Sequence, residues 1–203
     1  MKEKILAVTV MLLCLTLSGP GKVMASIVTD EVKMTVDEVV KIVTDKELKK
    51  AQNEQKRRSA LKQAIGRIFD YGEMAKRSMG PHWKTLTPAQ QKDFVGLFAT
   101  LLENSYAGKI EAYNNEKIVY EKGLLDGDHA EVKSRVITPK RDEYELGYRL
   151  IKEGSKWMVY DVVIEGVSLV SNYRTQFNKI INEKGYKELL KKMRTKSEEL
   201  TVT

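Results

Sequence analysis

Ala130-Glu131-Val132-Lys133-Ser134-Arg135-Val136-Ile137-Thr138 is the stretch that decides the fold class. Ala130, Val132, Ser134, Val136 and Thr138 fall on one face, and Glu131, Lys133, Arg135 and Ile137 on the other. That period of two is the mark of a strand half buried against a core. On its N-terminal side, Ile118-Val119-Tyr120 begins another strand, and Leu125-Asp126-Gly127-Asp128 reads as the turn between them. On its C-terminal side, Pro139 to Glu143 turns the chain, and Tyr144, Leu146, Tyr148 and Leu150 alternate with Glu145, Gly147 and Arg149. Lys152-Glu153-Gly154-Ser155 turns it once more, into a strand from Trp157 to Glu165. The run Val162-Val163-Ile164 in that strand predicts cover on both faces. Turns at roughly 8–12 residue spacing predict an antiparallel meander.

Outside 116–166 the period becomes helical. Thr29-Asp30 offers an N-cap to a stripe of Val32, Val36, Val39, Val40 and Val43. Residues 46–65 continue as a charged helical piece, with Leu48, Ala51, Leu61, Ala64 and Ile65 inward and the lysines and arginines toward water. Phe69 to Met79 is a short amphipathic helix closed by Gly80-Pro81. Thr87-Pro88-Ala89-Gln90 is a capping box with proline at the first helical position. Phe94, Leu97, Phe98, Leu101, Leu102, Ser105, Tyr106 and Ile110 then share one face. After the strands, Ser168 caps a helix bearing Leu169, Tyr173, Phe177 and Ile180, and Gly185 ends it. A last helix carries Leu189, Leu190 and Met193. The expectation is α+β: helices over 30–113, a curved four-stranded antiparallel sheet over 116–166, and C-terminal helices over 168–198, with six or seven helices in all.

The composition fits a globular chain. Of 203 residues, 42% are apolar and 31% charged, which excludes a collagen-like, disordered or polytopic membrane protein. The single cysteine excludes a disulfide scaffold. The N-terminus has the layout of a secretory signal. Met1-Lys2-Glu3-Lys4 precedes an uncharged, mostly apolar run from Ile5 to Leu17, and Val23-Met24-Ala25 suits cleavage after Ala25. An uncleaved N-terminal anchor is the competing reading. Leu13 before Cys14 is not the small residue that a lipid-anchor signal requires. Residues 1–25 are therefore expected to be a signal peptide, and 26–203 a single exported domain without cysteine.

Reactive constellations are absent from the sequence. No HExxH, CxxC, P-loop or GxGxxG occurs. Gly166-Val167-Ser168-Leu169-Val170 lacks the second glycine of a nucleophile elbow. His82 and His129 sit in polar turns, where an exposed structural histidine is expected. Asp161 lies between Tyr160 and Val162 inside a strand, and its carboxylate needs a partner there. A bridge to Lys or Arg on a neighbouring strand is the plain reading, and a catalytic base in an α+β cone is the sharper one. The net charge of +7 comes from interspersed residues, which argues for solvated faces and against a nucleic-acid partner.

Two long segments carry a resemblance. The first runs from Phe69-Asp70-Tyr71-Gly72-Glu73-Met74-Ala75-Lys76-Arg77 through Gly80-Pro81-His82-Trp83-Lys84-Thr85-Leu86-Thr87-Pro88-Ala89-Gln90 to Phe94-Val95-Gly96-Leu97-Phe98, Leu101-Leu102 and Tyr106. The second is Trp157-Met158-Val159-Tyr160-Asp161-Val162, followed by Glu165-Gly166-Val167-Ser168-Leu169-Val170-Ser171-Asn172-Tyr173-Arg174. Together they resemble the MlaC, or toluene-tolerance auxiliary, family of periplasmic phospholipid-binding proteins. One departure is Ser78-Met79-Gly80, where a Val-Leu-Gly type of sequence is more usual; it touches a packing position.

The resemblance implies helices and a strongly curved sheet enclosing a deep apolar cavity. It implies a non-enzymatic shuttle with no cofactor, whose cargo is a glycerophospholipid. It further implies partners: an outer-membrane lipoprotein–porin complex and an inner-membrane ABC transporter with an MCE-domain subunit, a system that maintains outer-membrane lipid asymmetry. A related branch is associated with hopanoids. A monomer is expected, since a shuttle presents one mouth to two partners. The residues expected to line the cavity are Phe94, Leu97, Phe98, Leu101, Tyr106, Tyr120, Val136, Tyr148, Tyr160, Val162, Ile164, Val167, Tyr173 and Phe177. Plain core packing competes at each position, because apolar spacing does not distinguish a core from a tunnel. Two other functional classes stand beside the shuttle: a small α+β cone enzyme using Asp161 or His82 as base, and a scaffold with a filled core.

Overall fold

The structure, a computed structural model, describes residues 20–202. The expected signal peptide over 1–25 falls mostly outside them. Helix α1 (Pro20–Thr44) is followed by a single 3₁₀ turn and α2 (Glu54–Gly66), then α3 (Tyr71–Met79), a second 3₁₀ turn (Gly80–Thr85) and α4 (Pro88–Glu111). Six strands come next: β1 (Lys117–Tyr120), β2 (Leu124–Asp126), β3 (His129–Ile137), β4 (Glu143–Glu153), β5 (Lys156–Ile164) and β6 (Val167–Ser168). Helices α5 (Leu169–Lys184) and α6 (Tyr186–Val202) complete the chain. The fold is α+β, as the change of period indicated.

All strands pair antiparallel in the order β1-β3-β4-β5-β6, with β2 also on β3. Two short strands extend the four expected. Leu124–Asp126 pairs with His129–Glu131 across a tight turn at Gly127 (φ +56°). Val167–Ser168 folds back on β5 through Glu165 and Gly166, both at positive φ. Each is too short to show a period, so a turn signal hides it. The far side of β5 also takes a single parallel bridge from Phe69, with Val159 N–H donating to Ile68 O at 2.7 Å and Asp70 N–H to Val159 O at 2.9 Å. Phe69 thus belongs to the sheet edge. Helix α3 starts two residues later, with the Asp70 carboxylate accepting from Glu73 N–H at 2.9 Å.

Caps fix the ends of the helices that flank the sheet and bundle most closely, α3, α4 and α5. At α4 the Thr87–Gln90 capping box forms in both directions. At α5 the Ser168 side chain accepts from Ser171 N–H, and Gly185 (φ +83°) closes the helix. Thr29, expected as an N-cap, lies inside α1 instead. Its hydroxyl donates to Ala25 O at 3.0 Å and accepts from Gly123 N–H at 3.1 Å, so it holds the β1–β2 loop rather than starting a helix.

The interior has two buried clusters. One is a helical bundle in which Phe94, Phe98 and Phe177 meet Met74, Ala75, Met79, Leu189 and Met193 from α3 to α6. The other lies where α1 crosses the sheet, with Val28 and Val32 against Val132, Leu150, Trp157 and Val159. Among the described residues, no helix is long and apolar enough to cross a membrane.

Candidate functional site

Beyond Val32, α1 borders a half-enclosed apolar cavity of about 860 Å³. Its walls are four. Val36, Val39, Val40 and Val43 of α1 continue the stripe that began with Val28 and Val32. Leu61 and Ile65 come from α2, and Leu102, Tyr106, Ala107 and Ile110 from the second half of α4. The floor is the sheet: Ile118, Val136, Leu146, Tyr148, Val162 and Ile164. Leu169 at the start of α5 and Met74 of α3 close the inner end.

A bulge aims the floor. The β4–β5 register slips between Arg149 and Leu150: Arg149 faces Asp161, whereas Leu150 faces Val159. Tyr160 is the extra residue. A bulge restores one face to residues of opposite parity. Val162 and Ile164, opposite Tyr148 and Leu146, therefore share a face with Val159 opposite Leu150. Tyr160 points the other way, where the Arg77 guanidinium lies 4.1 Å from its ring centroid.

Of the fourteen residues expected on the wall, Tyr106, Val136, Tyr148, Val162 and Ile164 line the cavity. The structure places the others elsewhere. Phe94, Phe98, Leu101 and Phe177 are buried in the helical bundle, and Leu97 and Tyr173 pack against it. Phe98 stacks on Phe94 at 6.0 Å and meets Tyr173 edge-on at 5.3 Å. Tyr120 packs in the cluster around Val28, with its hydroxyl buried and without a hydrogen-bond partner. Val167 is 58% exposed at the start of β6.

Sequence reasoning found Tyr106 on α4 but missed the walls supplied by α1 and α2. The valine stripe of α1 was visible, but only as a packing face. On α2, Gln55, Arg58, Ser59 and Lys62 recur at i, i+3, i+4 and i+7, and they border the cavity while Gln55, Ser59 and Lys62 stay exposed. That polar stripe beside Leu61 and Ile65 was the available signal.

The mouth has its own electrostatics. Helix α2 reaches α4 through two ion pairs, Arg57 Nε to Glu111 Oε1 at 2.9 Å and Lys62 Nζ to Glu103 Oε2 at 3.1 Å. Burial pushes the phenols of Tyr148 and Tyr71 above the ordinary tyrosine range, and the Glu103 carboxylate adds to the effect at Tyr71. Both rings stand neutral in the wall. The candidate bases lie off the cavity. Asp161, 3% exposed, accepts from Ser168 Oγ at 2.6 Å, Val170 N–H at 3.0 Å and Arg149 Nη1 at 3.3 Å. That is the cross-strand bridge read from the sequence, extended into a clamp on the start of α5. His82 hydrogen-bonds Asn178 at 2.9 Å on the surface. Among the described residues, no cluster of His, Cys, Asp and Glu could hold a metal ion.

These features define an α+β protein built round a large, half-enclosed apolar cavity. Residues 33–195 match the family model described as MlaC protein, and the chain belongs to the MlaC family. Over 120 residues it is 30% identical to the intermembrane phospholipid transport system binding protein MlaC of Haemophilus influenzae, covering 57% of this chain and 56% of that protein. Over 128 residues it is 27% identical to the toluene tolerance protein ttg2D of Pseudomonas putida, covering 62% of this chain and 60% of that one. The chain thus matches somewhat over half the length of these curated relatives. A solved structure of the phospholipid-binding protein from Ralstonia solanacearum, in complex with a phospholipid, superposes with a TM-score of 0.77 at 29% identity. The superposition covers 85% of this chain and 98% of that one.

Proposed function

We propose that this protein binds a diacyl phospholipid, acyl chains inward, and carries it through the periplasm without a chemical step. The observation that supports this is the 860 Å³ apolar cavity in a fold shared with a phospholipid complex. The size lies toward the upper end of small-molecule pockets, roughly 300–1,000 Å³. The energetics set the requirement. Each exposed CH₂ costs about 0.8 kcal/mol, so a sixteen-carbon chain in water costs on the order of 12 kcal/mol. A carrier must therefore replace water around most of the chain. The apolar valine, leucine and isoleucine wall does so, and the half-open side leaves an exit toward a membrane complex.

By analogy with the named relatives, the carrier serves an intermembrane phospholipid transport system, passing lipid between an outer-membrane complex and an inner-membrane ABC transporter. Residues 1–25 would direct its export. The test is detergent-free purification from a native periplasm, followed by lipid extraction and denaturing mass spectrometry. Near-stoichiometric diacyl phospholipid is the expected result. Protein that carries none, and takes none from labelled vesicles, would refute the proposal.

A further inference from the structure

The cavity mouth is not uniformly solvated rim. The pairs Arg57–Glu111 and Lys62–Glu103 run α2 antiparallel to the second half of α4. In that register Arg58 comes opposite Lys109, and both line the cavity. Their carboxylate supply is uneven. Arg58 Nη2 pairs with Glu54 at 3.0 Å, but its Nε is buried and has no hydrogen-bond partner. Lys109 makes no ion pair among the described residues, and its ammonium lies 5.3 Å from the Tyr106 ring centroid, over the wall. Neither carboxylate on the lining pairs with Lys109. Glu103 is held by Lys62, and Glu116 accepts from Asn114 N–H at 2.6 Å.

An unpartnered buried N–H is costly, and Lys109, although exposed, has no carboxylate beside it among the described residues. An anion between the two side chains pairs with both cations. A monoanionic phosphodiester supplies the counter-charge that Lys109 lacks among the described residues, and its several acceptor oxygens suit the Arg58 guanidinium and Lys109 Nζ together. Gln55 and Ser59, on the same face of α2 as Arg58, offer further donors. Just inside, Ile65 and Ile110 begin the apolar wall. The juxtaposition fits an amphiphile whose charge and chains meet at this depth.

We infer that Arg58 and Lys109 form a seat for the phosphate of the bound lipid, an inference that rests on the proposed phospholipid cargo. The seat reads the phosphate and leaves whatever is esterified beyond it in solvent. Headgroups with the same phosphodiester are therefore held alike.

Delipidated wild type and the Arg58→Gln/Lys109→Gln double variant would be titrated with detergent-solubilised dioleoyl phosphatidylethanolamine, dioleoyl phosphatidylglycerol and phosphate-free dioleoylglycerol. Binding would be read by native mass spectrometry, with circular dichroism confirming the fold. The expected result is a loss of roughly tenfold for both phospholipids in the variant, with dioleoylglycerol unchanged. Equal loss for all three lipids, or for none, would overturn the seat and leave the cargo proposal standing. Wild type that binds none of the three would overturn both. Inorganic phosphate supplies the other arm, followed by phosphorus NMR on lipid-free protein. Tight phosphate binding lost in the variant, with no preference of wild type for phospholipid over dioleoylglycerol, would make this a free-anion site and overturn the headgroup assignment.

Discussion

The two halves of α4 are one continuous helix with two different surroundings. In the first half, Phe94 and Phe98 are wholly buried among aromatic rings and the sulfur-bearing side chains of α3 and α6. In the second half, Tyr106, Ala107 and Ile110 border open space. The same division runs along α1, where Val28 and Val32 fill the sheet and Val39 and Val43 line the cavity. Both halves present apolar residues at helical spacing. The difference lies in what stands opposite: rings of α5 and the start of α6 cover the first half of α4, whereas the second half meets α2 through two ion pairs and the end of α6 through Asn104–Ser197. A solid core supplies stability, and the cavity is tolerated because that core carries it.

Substitutions in the two halves should therefore have opposite signatures. The largest expected effect is in the solid half. Phe98→Ala removes a ring in contact with three others and should cost about 3–5 kcal/mol. That lowers Tm on the order of 10 °C in thermal unfolding. Lipid per folded molecule should stay the same. A loss of lipid without loss of stability would erase the distinction between the halves.

Next comes the clamp that joins them. Asp161→Ala strips Ser168 Oγ and Val170 N–H of their acceptor at the start of α5. The expected cost is about 2 kcal/mol by urea denaturation, since two donors near a helix N-terminus lose their partner. Asp161→Asn should retain lipid binding, which separates the clamp from a catalytic base. Overfilling follows. Ala75, fully buried on α3, has no room, and Ala75→Leu should destabilise by about 1–3 kcal/mol.

The phenols supply a pH arm. Burial raises Tyr148 and Tyr71 on the cavity wall and also Tyr173 against the bundle. Below the ordinary tyrosine value of 10.0 they are neutral in both states, and their environment costs nothing. Above it the unfolded chain releases protons that the folded chain keeps, so stability falls as pH rises. Tyrosinate absorbance of these rings should appear with alkaline unfolding. Ionisation of all nine tyrosines near pH 10.0, without unfolding, would show the wall to be wet.

Much of the fold was legible. The alternation over 130–138, the Thr87–Gln90 box and the Ser168 cap each report a local rule that tertiary context leaves alone. The β4–β5 bulge left no such trace. A parity count from Val162 cannot register an extra residue at Tyr160, so the sheet face could not be assigned across it. The division between core and cavity was illegible for a related reason. Phe98 and Tyr106 obey the same periodicity, and only the position of α2, α5 and α6 tells them apart. The polar stripe of α2 faces water as its period indicates, and its place beside the cavity is set by packing that the period does not report.

The most direct measurement combines stability and cargo on one variant. Ala107→Trp places a large ring where the second half of α4 meets the cavity. With vacant space to receive it, stability should change by less than about 1 kcal/mol, against the strain an overfilled core would show. Phospholipid recovered per molecule, from detergent-free protein and after incubation with vesicles, should fall from near one in the wild type to near zero. Full lipid occupancy in Ala107→Trp, or destabilisation as severe as that of Ala75→Leu, would contradict a cavity that exists to hold lipid.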